Sequence, residues 1–507
     1  MLYVIKKTQV LLVGLVVLTA PLVGSASPLL ETVGDTLSTA AMQPRTLAGG
    51  SAAAYFNPSL LLDSPAEIAV GLVVLRQSIG VTLYGRPGPE YAIPDGIENG
   101  SRSDGTGFES YGVGTNLLQF GKEGDTPQAS LRARPRQGAG TGHDTGTYAS
   151  VGMNVHLFDG KFALGFHGLV PNGDFTQLNA FYNDEREQYF SNSLHAELYS
   201  DRMTAISFGA GACLKITDEL SLGLGATLGL QAGVQAAAFV ADASQLGDIL
   251  IDVTAPVNIS VAPHFGVSYH VTDRVHLTAT AHAPKQIDLN TNFTFLLASG
   301  VEQESGIQFV LDYSPWMIGT GGELVLVENR KHRLALATSL LFAQWSTYIN
   351  RHGERPRDSY AWADTLSATG GVRYRFRDLT TLVDVGYVPS PVPEQTGREN
   401  YVDNDRFTSA LGAQYEIELW GTPMRVGALF NALRLIPREN HKRETPTDPG
   451  GDIIQPDLVV DEVPDDARLG RQPVPGAAGL QTNNPGWPGF ESRGWVLSGS
   501  VYLAISI

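Results

Sequence analysis

Fourteen stretches of the chain repeat with a period of two, and the connections between them alternate strictly between tight and long. The stretches are 66–84, 148–157, 162–170, 203–216, 220–233, 255–271, 275–291, 310–327, 333–348, 364–377, 379–389, 405–419, 423–434 and 495–507. Within 219–230, Leu220, Leu222, Leu224, Ala226, Leu228 and Leu230 share one parity; Ser221, Gly223, Gly225, Thr227 and Gly229 share the other. Side chains of a strand point alternately to opposite faces, so each stretch reads as a strand with one apolar face. The tight connections are Phe158–Lys161, Thr217–Glu219, Thr272–Arg274, Glu328–His332, the step at Asp378, and Trp420–Thr422. The long ones are 85–147, 171–202, 234–254, 292–309, 349–363, 390–404 and 435–494. That alternation gathers every tight turn at one end. Antiparallel strands of ~9–11 residues with short periplasmic turns and long outer loops are the plan of an outer-membrane barrel. The predicted fold is all-β, a transmembrane antiparallel β-barrel of about 14 strands. A soluble two-sheet sandwich also alternates, but rarely sustains this many long strands with segregated loop lengths.

Charge decides which face meets lipid. Arg373, Arg375 and Arg377 alternate with Val372, Tyr374 and Phe376. An arginine facing lipid at mid-bilayer costs about 2–4 kcal/mol. The arginines are therefore expected to face the lumen and the Val/Tyr/Phe parity to face acyl chains. The same logic turns Lys215, Cys213, Arg425, Asn431, His264, His276 and His282 inward, and the leucines of 220–230 outward.

The N-terminus fits an exported protein. Lys6 and Lys7 precede an apolar run from Val10 to Val23, then Gly24-Ser25-Ala26. A charged start, an apolar centre and a small-residue cleavage site predict a signal peptide over 1–26. A membrane anchor is the competing reading, but the run is short and cut by Gly14 and Pro21. No later segment has the ~18 unbroken apolar residues of a transmembrane helix. The one cysteine, Cys213, allows no intrachain disulfide. A formal charge of −17 argues against a nucleic-acid partner, whose phosphates call for basic patches.

Between signal and first strand, residues 27–65 are punctuated by Pro44, Gly49-Gly50 and Pro58, so any helix there is short. Within it, Gly49-Gly50-Ser51-Ala52-Ala53-Ala54-Tyr55-Phe56-Asn57-Pro58-Ser59-Leu60 resembles the N-terminal hatch of the FadL-type family, outer-membrane transporters of long-chain fatty acids and other hydrophobic compounds. The family carries Asn-Pro-Ala after an aromatic residue; Ser59 replaces the alanine here. Tyr199–Arg202, Trp345–Tyr348, and Gly386–Pro393 running on to Asn400–Arg406 resemble the family as well. Two departures are the terminal Ile507, where the family commonly ends in Phe, and the long final loop. The resemblance implies a hatch or plug at 27–65, with Phe56, Asn57 and Pro58 as its motif, inside a barrel of 66–507. It implies a bacterial outer-membrane channel for passive uptake of hydrophobic molecules such as long-chain fatty acids. It implies that outer loops capture the ligand, that the lumen binds it, and that it leaves sideways into the membrane.

The sequence offers candidates for each step. Phe239, Val240, Leu246, Ile249 and Leu250, in a helix-compatible apolar stretch, and Phe293, Phe295 and Leu296 in the next long loop, are expected to form a capture groove. Lys215, Arg373, Arg375 and Arg425 are candidates for a carboxylate headgroup; their alternative partners are lumenal acids such as Asp384, Glu416 and Glu418. Gly165 and Gly168 are candidate strand kinks. His264, His270, His276 and His282 lie on strands without a tight ligand cluster, so no metal or other cofactor is expected. Asp403 and Asp405 do not fill the six to eight positions of calcium. No Ser/His/Asp arrangement stands out, and the chain is expected not to be an enzyme. The expected partners are hydrophobic small molecules, outer-membrane lipid and lipopolysaccharide, and the barrel is expected to be a monomer. A general diffusion porin and a barrel-embedded hydrolase are the competing functions.

Overall fold

The computed structural model describes residues 28–84, 139–172, 198, 206–232, 235–240, 249–254, 257–297, 302–350, 353–356, 361–396, 401–442 and 489–507. The signal-peptide expectation lies outside them, as do Leu246 and most of 435–494.

Fourteen antiparallel strands close into one barrel, each overlapping one of the sequence-predicted stretches. They are β1 (Glu67–Leu83), β2 (Ala139–Leu157), β3 (Phe162–Pro171), β4 (Ile206–Lys215), β5 (Leu220–Ala232), β8 (Val257–Thr272), β9 (Val275–His282), β12 (Met317–Glu328), β13 (His332–Ala343), β14 (Thr365–Phe376), β15 (Leu379–Val388), β16 (Arg406–Leu419), β17 (Thr422–His441) and β18 (Gly489–Ser506). β1 pairs with β2 on one side and β18 on the other, from Glu67 opposite Ser506 to Leu83 opposite Phe490. Closure satisfies every edge from within, the condition for a sheet in hydrocarbon. The tight turns use left-handed backbone where two-residue hairpins need it: Trp420 and Gly421 both have positive φ, as do Phe158, Asp159 and Gly160.

The faces sort as charge placement requires. Leu224 is 56% exposed and Phe265 51%, whereas Cys213, His264 and Asn431 are buried, and Arg373 lies inside opposite the exposed parity of Val372, Tyr374 and Phe376. The outer surface is an apolar belt with no aqueous core to bury it, so the molecule is a transmembrane barrel of the outer-membrane type. Leu224→Arg, mid-strand on β5, is expected to destabilise the refolded barrel by about 2–4 kcal/mol, and Thr217→Arg in the adjacent tight turn by under about 1 kcal/mol. Reversible urea unfolding in lipid vesicles measures both.

Three expectations are corrected. The apolar stretch within 234–254 is not helical: it forms β6 (Gln235–Val240) and β7 (Ile249–Thr254). Phe239, Val240, Ile249, Ile251 and Val253 are residues that favour strands. The stretches 275–291 and 310–327 are not single barrel strands either. Each is divided at a proline, Pro284 or Pro315, which cannot donate to a ladder. The segments beyond the prolines are β10 (Lys285–Leu297) and β11 (Glu302–Ser314). They join β6 and β7 in a separate four-stranded sheet of order β11-β10-β6-β7 at the long-loop end. The long last loop is also shorter than its sequence suggests, because β17 runs on to His441 and β18 begins at Gly489.

Candidate functional site: the occupied lumen

Residues 29–61 are almost entirely buried, Leu29, Leu30, Leu37, Tyr55, Leu60 and Leu61 completely so. They form a short helix α1 (Pro28–Val33), turns, a second short helix α2 (Ala53–Phe56) and a 3-10 turn over Pro58–Leu60. Helices this short are not stable alone, so their contacts with the wall must hold them.

The Asn-Pro-Ser motif builds its own turn. Asn57 Oδ1 accepts from the Ser59 amide at 3.3 Å and from the Ser59 hydroxyl at 2.6 Å. Pro58 takes the first position of the turn, where no amide donor is needed. Asn57 Nδ2 donates to the Arg45 carbonyl at 2.9 Å, tying the turn to the rest of the segment. Arg45 meets Glu31 through two hydrogen bonds of 2.9 and 2.6 Å, and the Tyr55 hydroxyl donates to the same carboxylate at 2.8 Å.

This turn sits in a socket made by absent side chains. A Cβ at Gly266 would lie 1.9 Å from Asn57 Oδ1; at Gly223, 2.1 Å from the Ser59 nitrogen; at Gly209, 2.5 Å from Tyr55 Cβ. The glycine parity of β5 therefore admits backbone, as its leucine parity meets lipid. Around the socket, His264 Nε2 donates to the Ala54 carbonyl at 2.8 Å, and His282 Nε2 and Thr280 Oγ1 donate to the Phe56 carbonyl at 3.1 and 3.2 Å. His264 and His282 stack at 4.7 Å. Cys213 Sγ donates to the Ser59 carbonyl at 3.2 Å.

The opposite wall is charged. Arg373 forms a two-pronged pair with Asp384 at 2.6 and 2.9 Å and donates to the Thr39 and Ala40 carbonyls at 2.6 and 2.9 Å. Gln43 Nε2 completes Asp384 at 2.9 Å. Arg425 pairs with Glu67 and donates to the Gly49 carbonyl at 3.0 Å. Asn431 reaches the Val33 carbonyl at 2.8 Å, and Asn154 the Leu61 carbonyl at 2.8 Å.

Of the four basic headgroup candidates, Arg373 and Arg425 are thus engaged with buried acids and the N-terminal backbone. Asp384 was foreseen as a partner. Glu67 was not, and Glu416, though opposite Arg425 in register, is not the acid it meets. Lys215 pairs with Asp218 at the tight-turn end, and Arg375 approaches Glu328 at 3.9 Å. β3 keeps an unbroken register with β2 and β4 through Gly165 and Gly168, so neither is a bulge. Gly165 instead makes room for Leu61, whose Cδ2 lies 2.4 Å from where a Cβ would stand.

The capture-loop candidates other than Leu246, which lies outside the described residues, fall on one sheet. Phe293 pairs with Ala236, Phe295 with Ala238, Leu296 with Phe239, and Phe239 in turn with Leu250. The two long loops are therefore joined by backbone pairing.

Sequence reasoning missed an apolar column inside the barrel. Leu29, Leu30, Val33, Tyr55 and Phe56 pack with the inward side chains Val73, Leu75, Tyr148, Leu169, Leu433, Leu435 and Val496. At the long-loop end, Val310, Tyr313, Tyr348, Trp362, Val392 and Tyr401 form a second cluster, with Tyr348 stacked on Trp362 at 3.6 Å. Leu198 packs against both. The signal was present in β1, where Leu72-Val73-Val74-Leu75 is apolar on both parities. The histidines also differ from expectation: they form two stacked pairs, and His270 and His276 converge with Asp63, their ligand atoms within 4.8 Å of one another.

These features define a class: a fourteen-strand transmembrane barrel whose own N-terminal segment is seated in the lumen. Its fold is that of the FadL-type transporters. The crystal structure of a Pseudomonas aeruginosa FadL homologue superposes with a TM-score of 0.51 at 16% identity, over 95% of this chain and 99% of that one. The toluene transporters TodX of P. putida and TbuX of Ralstonia pickettii align more loosely, each at 12% identity over 96% of this chain and 99% of theirs, with TM-scores of 0.44 and 0.41. No protein-family model matches the sequence, and no curated protein matches it.

Proposed function

We propose that this chain is a passive outer-membrane channel for hydrophobic molecules, with residues 27–65 as its hatch. The apolar column carries this reading. A diffusion porin keeps a polar, water-filled interior, whereas here apolar side chains run from Tyr348 and Trp362 through Leu198 to Tyr55 and Phe56. The likeness in fold to a FadL homologue supports it, as does the Phe56-Asn57-Pro58 turn. Long-chain fatty acids and small hydrocarbons both suit such a column.

In this scheme the sheet β11-β10-β6-β7 captures ligand, through Phe239, Val240, Ile249, Leu250, Phe293, Phe295 and Leu296, with Leu246 from the sequence between β6 and β7. The column receives the ligand. Displacement of the N-terminal segment opens a sideways exit, and Gly165, on which Leu61 rests, marks where segment and wall part. The chain itself does no chemistry on the ligand, and a single barrel suffices.

Cells carrying the protein are expected to take up labelled oleate or toluene several-fold faster than cells lacking it. Liposomes containing it are expected not to swell in sugar solutions. Sugar-driven swelling without any hydrophobic uptake would assign it to the porins instead.

A further inference from the structure

Asp63 is the last charged residue before β1, at the tight-turn end of the barrel. His270 and His276 face each other across the β8–β9 hairpin, in direct register and stacked at 4.2 Å. Asp63 Oδ1 accepts from His270 Nε2 at 3.1 Å; Asp63 Oδ2 lies 3.9 Å from His276 Nε2. The Ser268 hydroxyl donates to Asp63 Oδ2 at 2.9 Å and accepts from His276 Nε2 at 2.8 Å. All three ligand atoms fall within 4.8 Å of one another.

From this juxtaposition we propose a binding site for a divalent transition metal, Zn²⁺ fitting best, at Asp63, His270 and His276. A tetrahedral ion with ligands at ~2.0–2.2 Å spaces its donor atoms by about 3.3–3.6 Å; the two carboxylate oxygens lie 3.1 and 3.9 Å from the two Nε2 atoms, so a small rotation of the carboxylate brings the three donors to that spacing. Two imidazoles and one carboxylate are the donor set of zinc rather than of calcium or magnesium, which take oxygen. Both rings present Nε2 to the carboxylate, and that atom binds the ion once its proton has moved to Nδ1. His276 is buried, and its Nε2 exchanges the Ser268 hydroxyl for the ion on binding, while the His270 side chain is 41% exposed, so the site has a buried floor and an open approach.

The ligands come from two parts of the molecule. Asp63 ends the lumenal segment, and both histidines belong to the wall. A bound ion therefore staples the base of that segment to β8 and β9. The carboxylate–imidazole contact already brings them together; the metal makes the junction strong and dependent on periplasmic metal supply.

The test uses the full chain in detergent, without a polyhistidine tag. Zn²⁺ titration by calorimetry is expected to show one equivalent bound. Co²⁺ substitution is expected to give the visible absorption of a tetrahedral ion. His270→Ala and His276→Ala are each expected to weaken Zn²⁺ binding at least tenfold, while His441→Ala, at the other end, leaves it unchanged. Retention of heat-modifiable gel mobility shows that each variant is folded, and His270→Gln serves as a second, milder probe of the exposed ligand. Stoichiometric binding lost in the His270 and His276 variants supports the site. No binding, or binding that survives either variant, overturns it.

Discussion

Gly266→Leu is expected to unseat the N-terminal segment and leave the barrel conducting. A Cβ there would lie 1.9 Å from Asn57 Oδ1, and the atom it meets is not the free end of a flexible side chain. Asn57 is fixed by the Ser59 amide and hydroxyl and by the Arg45 carbonyl. Strand β8 cannot retreat, because it is paired along its length with β5 and along its lower half with β9. The segment must move instead. Overpacking a well-filled site costs about 1–3 kcal/mol; at the upper end that changes the ratio of seated to unseated forms about a hundredfold. Planar-bilayer recordings are expected to show larger and more frequent openings, and cells are expected to become sensitive to large hydrophilic antibiotics. The barrel should still migrate as folded on a gel. A variant as tight as the parent would mean that the glycine socket does not hold the segment.

The second large effect concerns Arg373. Its guanidinium is 5% exposed and Asp384 is fully buried. Arg373→Ala leaves that carboxylate, among the described residues, only the Gln43 side chain and the Met42 amide as hydrogen-bond partners. Removing one partner of a buried pair typically costs about 3–5 kcal/mol. The double variant Arg373→Met, Asp384→Leu removes both charges and is expected to regain most of that loss. It still forfeits the bonds to the Thr39 and Ala40 carbonyls, worth about 1 kcal/mol each. Urea unfolding gives the totals, and hydrogen exchange over 36–46 shows where the loss falls. If Arg373 were instead a ligand headgroup site, the alanine variant would lose uptake without losing stability.

Much of the barrel was legible because strand parity is a local property. The leucines of β5, the arginines of β14 and the turn Trp420-Gly421 each state their orientation within a few residues. The socket was half legible: the glycines were visible, but what they admit lies more than a hundred residues away. Arg425 shows the limit. Its register neighbour Glu416 was the natural guess, yet it pairs with Glu67, 358 positions distant, because barrel closure sets β1 and β17 on the two sides of β18. His270 and His276 gave no sign of a shared carboxylate, since Asp63 reaches them only through the closed fold. The prolines at 284 and 315 were punctuation that alternation alone overrode.

Those two prolines also determine what the outer sheet does to the wall. β10 continues directly from β9, and β11 runs directly into β12, so the hairpin is a lever with Pro284 and Pro315 as its fulcrum. β9 carries Thr280 and His282, the side chains that hold the Phe56 carbonyl. Were ligand to dock on the outer hairpin as proposed, any tilt it imposed would reach those two side chains along one uninterrupted run of chain.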